Sequence, residues 1–203
     1  MTVTIPQSIA DIKLHQFQKY NELLLRDDLT QSQFDIRKVE IFTNIKRDEI
    51  TLISSKDFVE ISQQIDLALE QTVEFKPTFF IQDVEFGFIT NFDKISQGEF
   101  IDISNYGTNI DEMHKLMAVL FRPIKKKDSL GNYEIISYQG TEQYANIMKH
   151  TPMSIVNGAL VFFSSLASEL VNYTQKYMME EQARDEVPAT ISTNGDGMLQ
   201  SMS

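Results

Sequence analysis

Apolar positions along the chain follow two different periods, and the change of period divides it into segments. Between Lys13 and Arg26, the residues Leu14, Phe17, Leu24 and Leu25 recur at helical spacing, with Asn21 as the one polar entry in the stripe. That spacing predicts a helix. A second helix is predicted from Gln31 to Ile45, where Phe34, Val39, Phe42 and Ile45 share one stripe. Ser54 or Ser55 can cap a third, in which Phe58, Ile61, Ile65 and Leu69 line one face. Ahead of these, Val3 to Ile5 alternates like a short strand that Pro6 stops.

The period changes after Lys76-Pro77. Thr78 to Ile81 and Val84 to Ile89 are rich in β-branched and aromatic residues, with Gln82-Asp83 between them. They predict a β-hairpin, although the turn lacks the usual Asn-Gly or Asp-Gly pair. Gly87 inside the second strand predicts a bulge or a close backbone approach.

Helical signals then return. Ser96 and Glu99 have capping-box spacing, a helix runs toward Tyr106, and Gly107 can close it in the left-handed conformation. Asn109 with Glu112 repeats the capping logic ahead of the stripe Met113, Leu116, Met117, Leu120 and Phe121, which Pro123 ends. Arg122 with Lys125, Lys126 and Lys127 reads as a solvated basic loop. Asp128 to Asn132 reads as a loop, Tyr133 to Ile136 as a short strand, and Thr141 as the cap of a short helix. Thr151-Pro152 opens the longest predicted helix, with proline at the first helical position. Its stripe of Met153, Val156, Leu160, Phe163, Leu170 and Tyr177 continues to about Ala183.

These elements predict a predominantly helical α+β fold: packed helices, a small antiparallel β-hairpin and one long C-terminal helix. The expected organisation is a single globular domain over 1–184. It comprises N-terminal helices in 13–70, a β element in 78–89 and C-terminal helices in 97–183. A polar, disordered tail is expected over 185–203.

Composition narrows the functional classes. The 203 residues include no cysteine, which removes disulfides, thiolate nucleophiles and cysteine-ligated metals, and fits a reducing compartment. Met1 to Pro6 lacks the basic and apolar regions of a secretory signal. The most apolar stretch, Ile155 to Val171, is too short and too polar to span a bilayer. The Asn172-Tyr173-Thr174 sequon therefore reads as coincidental. A net charge of −11 argues against direct nucleic-acid binding.

Candidate chemistry is sparse. His15, His114 and His150 are far apart in sequence, and Asp111, Glu112 and His114 point in different directions at a helix start. Nothing marks any pair among the 29 acidic residues as buried. Ser164-Ser165 lies in an apolar helix and lacks a nucleophile elbow. Asn194-Gly195-Asp196-Gly197 lacks the twelfth-position glutamate of a calcium loop. The expectation is a protein with no catalytic residues, no cofactor and no metal, although a diffuse active site leaves no motif. The surplus is apolar instead. Phe79, Phe80, Phe86, Phe88, Phe92 and Phe100 crowd one stretch. Phe162 and Phe163 diverge by about 100° on a helix, so both cannot face one core line: either the helix is buried nearly all round or one side meets a partner. Phe162, Phe163, Leu166, Met178 and Met179 form the candidate protein interface.

Four stretches resemble proteins from the structural-gene regions of tailed bacteriophages, crAss-like phages among them. They are Ser8 to Tyr20, Gln97 to Ile103, His114 to Ile124 and Gly158 to Phe163. The middle two are similar to phage tail-assembly chaperones and baseplate-hub assembly factors, which are small acidic helical proteins. The resemblance implies a non-enzymatic role in virion assembly and binding to a tail or baseplate component, in the host cytoplasm. It leaves open self-association and retention in the virion as a structural subunit.

Overall fold

The structure, a computed structural model, describes residues 4–165. The chain divides into two units, 1–162 and 163–203. Only residues 163–165 of the second belong to the described part, so the expected boundary at 184 and the tail lie outside it.

The first helices form where their stripes predict. α1 (Leu14–Leu24) starts with the Lys13 amide donating to the Gln16 side chain. α2 (Gln31–Thr43) is closed at its start by a capping box of Thr30 and Gln33 and at its end by left-handed Asn44. One further turn, α3 (Arg47–Ile50), follows. α4 (Ser55–Leu69) is capped by Ser54, whose hydroxyl accepts from the Asp57 amide. Thr4 to Pro6 form no strand, contrary to expectation, and Val3 lies outside the described residues.

The largest correction concerns the sheet. It has four antiparallel strands in the order β1-β2-β3-β4, joining the expected hairpin to the expected short strand at Tyr133 through an unexpected strand between them. These are β1 (Thr78–Ile81), β2 (Val84–Phe88), β3 (Phe121–Lys127) and β4 (Tyr133–Ile135). Among the described residues eight helices accompany it and take up about half of the positions, so the fold is α+β without helical predominance.

The basic segment after Leu120 is strand, not solvated loop. α6 (Met113–Leu120) passes straight into β3, with Phe121 already extended at φ −121° and ψ 128°. Pro123 ends the helix yet sits inside the sheet. It lies opposite Phe86, while the neighbouring pair Gly87 and Arg122 faces across β2 and β3. The proline's missing amide is therefore turned toward β4, where the register between Ile124 and Lys126 is irregular.

The hairpin itself forms as predicted, with Ile81 opposite Val84 and Gln82 at φ +52° in the turn. Gly87 marks a close approach of a side chain rather than a bulge. A Cβ there would lie 2.4 Å from the Tyr133 ring. That tyrosine crosses the sheet, and its hydroxyl donates toward the carbonyls of Pro77 (3.2 Å) and Phe88 (3.1 Å).

α5 (Gln97–Tyr106) has the predicted capping box. Gly107 closes it with φ −65°, right-handed and not left-handed as expected. Asn109 caps a 3-10 turn, Ile110–Glu112, that leads into α6. α7 (Glu142–Met148) begins after Thr141, whose side chain makes no cap bond.

The final helix occupies residues 153–165, and no long C-terminal helix is present among the described residues. The remainder of the predicted helix, to Ala183, lies outside them. Its start is pinned to the beginning of the chain. The Met153 amide donates to the Ile12 carbonyl (2.8 Å), and the Leu14 amide donates to that of Thr151 (2.9 Å). Ile9, Ile12, Leu14, Met153 and Val156 are buried there. The core face of the sheet is aromatic, with Phe121 edge-on to both Phe79 and Phe88 at 5.0 Å.

Candidate functional site

The candidate interface falls at the point where the last helix leaves the core. Met153, Ser154, Ile155, Val156, Gly158 and Ala159 are all buried, so the first two turns are enclosed nearly all round. Val161 is 62% exposed and Phe162 38% exposed. The crossing segment explains the position of Phe162. A Cβ at Gly158 would lie 2.8 Å from the Glu74 carbonyl and 3.1 Å from the Phe75 Cα. Glycine thus lets residues 74–75 pass against the helix, and one turn later Phe162 stacks on Phe75. Their rings are nearly parallel, with centroids 4.3 Å apart. Phe88 meets Phe162 edge-on at 5.6 Å.

Phe162 is therefore a rim residue, with one ring face on the aromatic core and part of its surface open. Phe163, half-buried, begins the second unit. Leu166, Met178 and Met179 lie outside the described residues.

A buried polar cluster, not legible in the sequence, joins α5 to β3. Arg122, 7% exposed, places Nη2 2.8 Å from Oε1 of Glu99, itself 5% exposed. The other Glu99 oxygen accepts from the amide and the hydroxyl of Ser96, each at 2.7 Å. The capping box thus also holds the counter-ion of a buried arginine. The Tyr138 ring lies 5.6 Å from the guanidinium, and its hydroxyl donates to Asp102. Burial, and then the Asp102 carboxylate, push the Tyr138 phenol well above the usual tyrosine range.

A cleft of about 410 Å³ opens beside this cluster, with Asn91, Lys94, Ser96 and Ser137 on its walls. Within the cluster, Arg122 Nε is buried and meets no hydrogen-bond partner among the described residues. Glu99 uses both oxygens, Arg122 is neutralised, and Tyr138 is held in its protonated form. The cluster ties α5 to β3.

The histidines gather in part. His15 and His150, 135 positions apart in the chain, meet edge-on with centroids at 5.3 Å. His15 Nδ1 lies 2.9 Å from the Lys149 carbonyl. His114 stands apart, its Nδ1 within 3.3 Å of Gln18 Nε2. Desolvation, with Lys149 nearby, lowers its affinity for a proton. Among the described residues no three histidine or acidic side chains come together to hold a metal, and no helix is long and apolar enough to cross a membrane.

Comparison of the chain with protein-family models, curated proteins and solved structures finds no match.

Proposed function

We infer that this protein is a non-enzymatic assembly factor of a tailed bacteriophage, which holds a tail or baseplate component through the apolar rim at Val161 and Phe162. The observation that carries the reading is the change along the last helix, from enclosure at Ala159 to open apolar surface at Val161. An open aromatic seated on a stacked partner is rigid and loses little entropy on binding, which suits a docking anchor. The phage context is supported by the four resembling stretches alone, and an acidic surface of net charge −11 keeps such a factor off DNA.

A second reading, a structural subunit retained in the virion, is favoured by the outer edge of β1, which pairs with no strand among the described residues. Mass spectrometry separates the two. An assembly factor is expected in tail or baseplate intermediates and missing from purified virions, whereas a subunit is expected in both. Absence from both would overturn each reading.

A further inference from the structure

We propose that the outer edge of β1 is a self-association surface, on which a second copy of this chain adds its own β1 antiparallel to the first. The proposal goes beyond the assembly role and does not depend on it.

The hairpin geometry decides which backbone groups are available. Ile81 and Val84 close a two-residue turn, and the Phe88 amide donates to the Pro77 carbonyl at 2.8 Å. Pro77, Phe79 and Ile81 therefore face β2, and the amides and carbonyls of Thr78 and Phe80 point away from it. Among the described residues no backbone group pairs with them.

The two edges of the sheet are not treated alike. β4 is three residues long, contains Glu134, lies beside Lys125 to Lys127 and pairs with irregular register. Those features are ones that keep an edge from recruiting another strand. β1 has none within its span. Thr78-Phe79-Phe80-Ile81 is uncharged and regularly paired, and Phe80 is 63% exposed.

Charge indicates a second copy as the occupant. Exposed Lys76 precedes the strand and exposed Asp83 follows it, and no ion pair engages either among the described residues. Antiparallel pairing of two copies brings the Lys76 end of each against the Gln82-Asp83 turn of the other. The register that uses only strand residues sets Thr78 opposite Phe80 of the second copy, and the reverse. It forms four backbone hydrogen bonds and places the two Phe80 rings diagonally on one face. Such an edge is smaller than the roughly 1,200 Å² of a stable specific interface, so the association is weak and concentration-dependent.

The test is sedimentation equilibrium from about 10 µM to about 1 mM, a range that brackets a weak dimer. Wild type is expected to shift from monomer to dimer. Phe80→Pro removes an amide that β2 does not use, so the monomer is expected to fold and its dimer dissociation constant to rise about tenfold or more. Phe80→Lys gives the same outcome through charge should the proline variant unfold. The chain has no cysteine. Mixed Thr78→Cys and Phe80→Cys proteins are therefore expected to cross-link on oxidation, and Glu134→Cys protein is not. A wild type that stays monomeric throughout overturns the proposal and leaves the edge to an extended segment of another protein. A dimer unchanged in both Phe80 variants, or cross-linking no greater than that of Glu134→Cys, overturns it as well.

Discussion

Gln82 holds φ at +52° in a two-residue turn, a conformation that costs a side-chain-bearing residue and costs glycine nothing. Gln82→Gly is expected to raise stability by about 0.5–1 kcal/mol in chemical denaturation, and a loss would show the turn to be unstrained. Gly87 is the opposite case, since a methyl there runs into the Tyr133 ring. Gly87→Ala is expected to cost about 1–3 kcal/mol, and less in a Tyr133→Ala background because the clashing ring is gone. Equal cost in both backgrounds would remove the clash as the cause. His114 carries a pH dependence. Its folded-state proton affinity lies below the ordinary histidine value of 6.5, so the unfolded chain binds the extra proton first. Stability is then full above about 6.5 and falls as pH drops below it. His114→Gln is expected to flatten that part of the curve, and an unchanged slope would assign it elsewhere. The sequence shows Gly87 as a special position and Gln82 within a turn. It does not show what Gly87 faces, because Tyr133 arrives from another strand.

Elements with their own periodicity and caps were legible, and those that depend on partners were not. α4 starts at Ser54 and α5 at Ser96 because each hydroxyl meets an amide three residues on, a purely local event. β3 reads as loop in the sequence because its signals conflict. The apolar run of α6 continues into Phe121, Pro123 argues against a central strand, and three lysines suggest solvent. Only neighbours on both sides make it a strand. The pair of Glu99 and Arg122 was hidden for the same reason, since 23 positions separate a capping glutamate from a residue that reads as loop. The pair fixes α5 on the sheet. Glu99→Ala leaves a buried guanidinium unpaired and is expected to cost about 3–5 kcal/mol in thermal or chemical unfolding. Glu99→Gln with Arg122→Met, which removes both charges and keeps a cap acceptor, is expected to cost clearly less. Equal losses would show that the unpaired guanidinium is not the source of the cost.

At the scale of the molecule, Phe79, Phe86, Phe88 and Phe121 are buried around the sheet, and the exposed apolar side chains include Phe80 on the β1 edge and Val161 and Phe162 on the last helix. The sequence singled out Phe162 because adjacent helical residues cannot share one core line. It could not tell core from interface, because that depends on the crossing of Phe75 over Gly158. Phe162 stacks on Phe75, meets Phe88 edge-on and is 38% exposed, so Phe162→Glu mixes lost stacking with any effect on binding. Val161, 62% exposed, is the cleaner probe. The most direct test of the proposed assembly role is co-expression of the full chain with tail and baseplate proteins of tailed bacteriophages, followed by size-exclusion chromatography. Wild type is expected to co-elute with one of them. Val161→Glu, still folded by circular dichroism, is expected to lose at least about tenfold in affinity, as when a charge enters an apolar contact. Co-elution with none of these proteins, or undiminished co-elution of the Val161→Glu protein, would contradict the account.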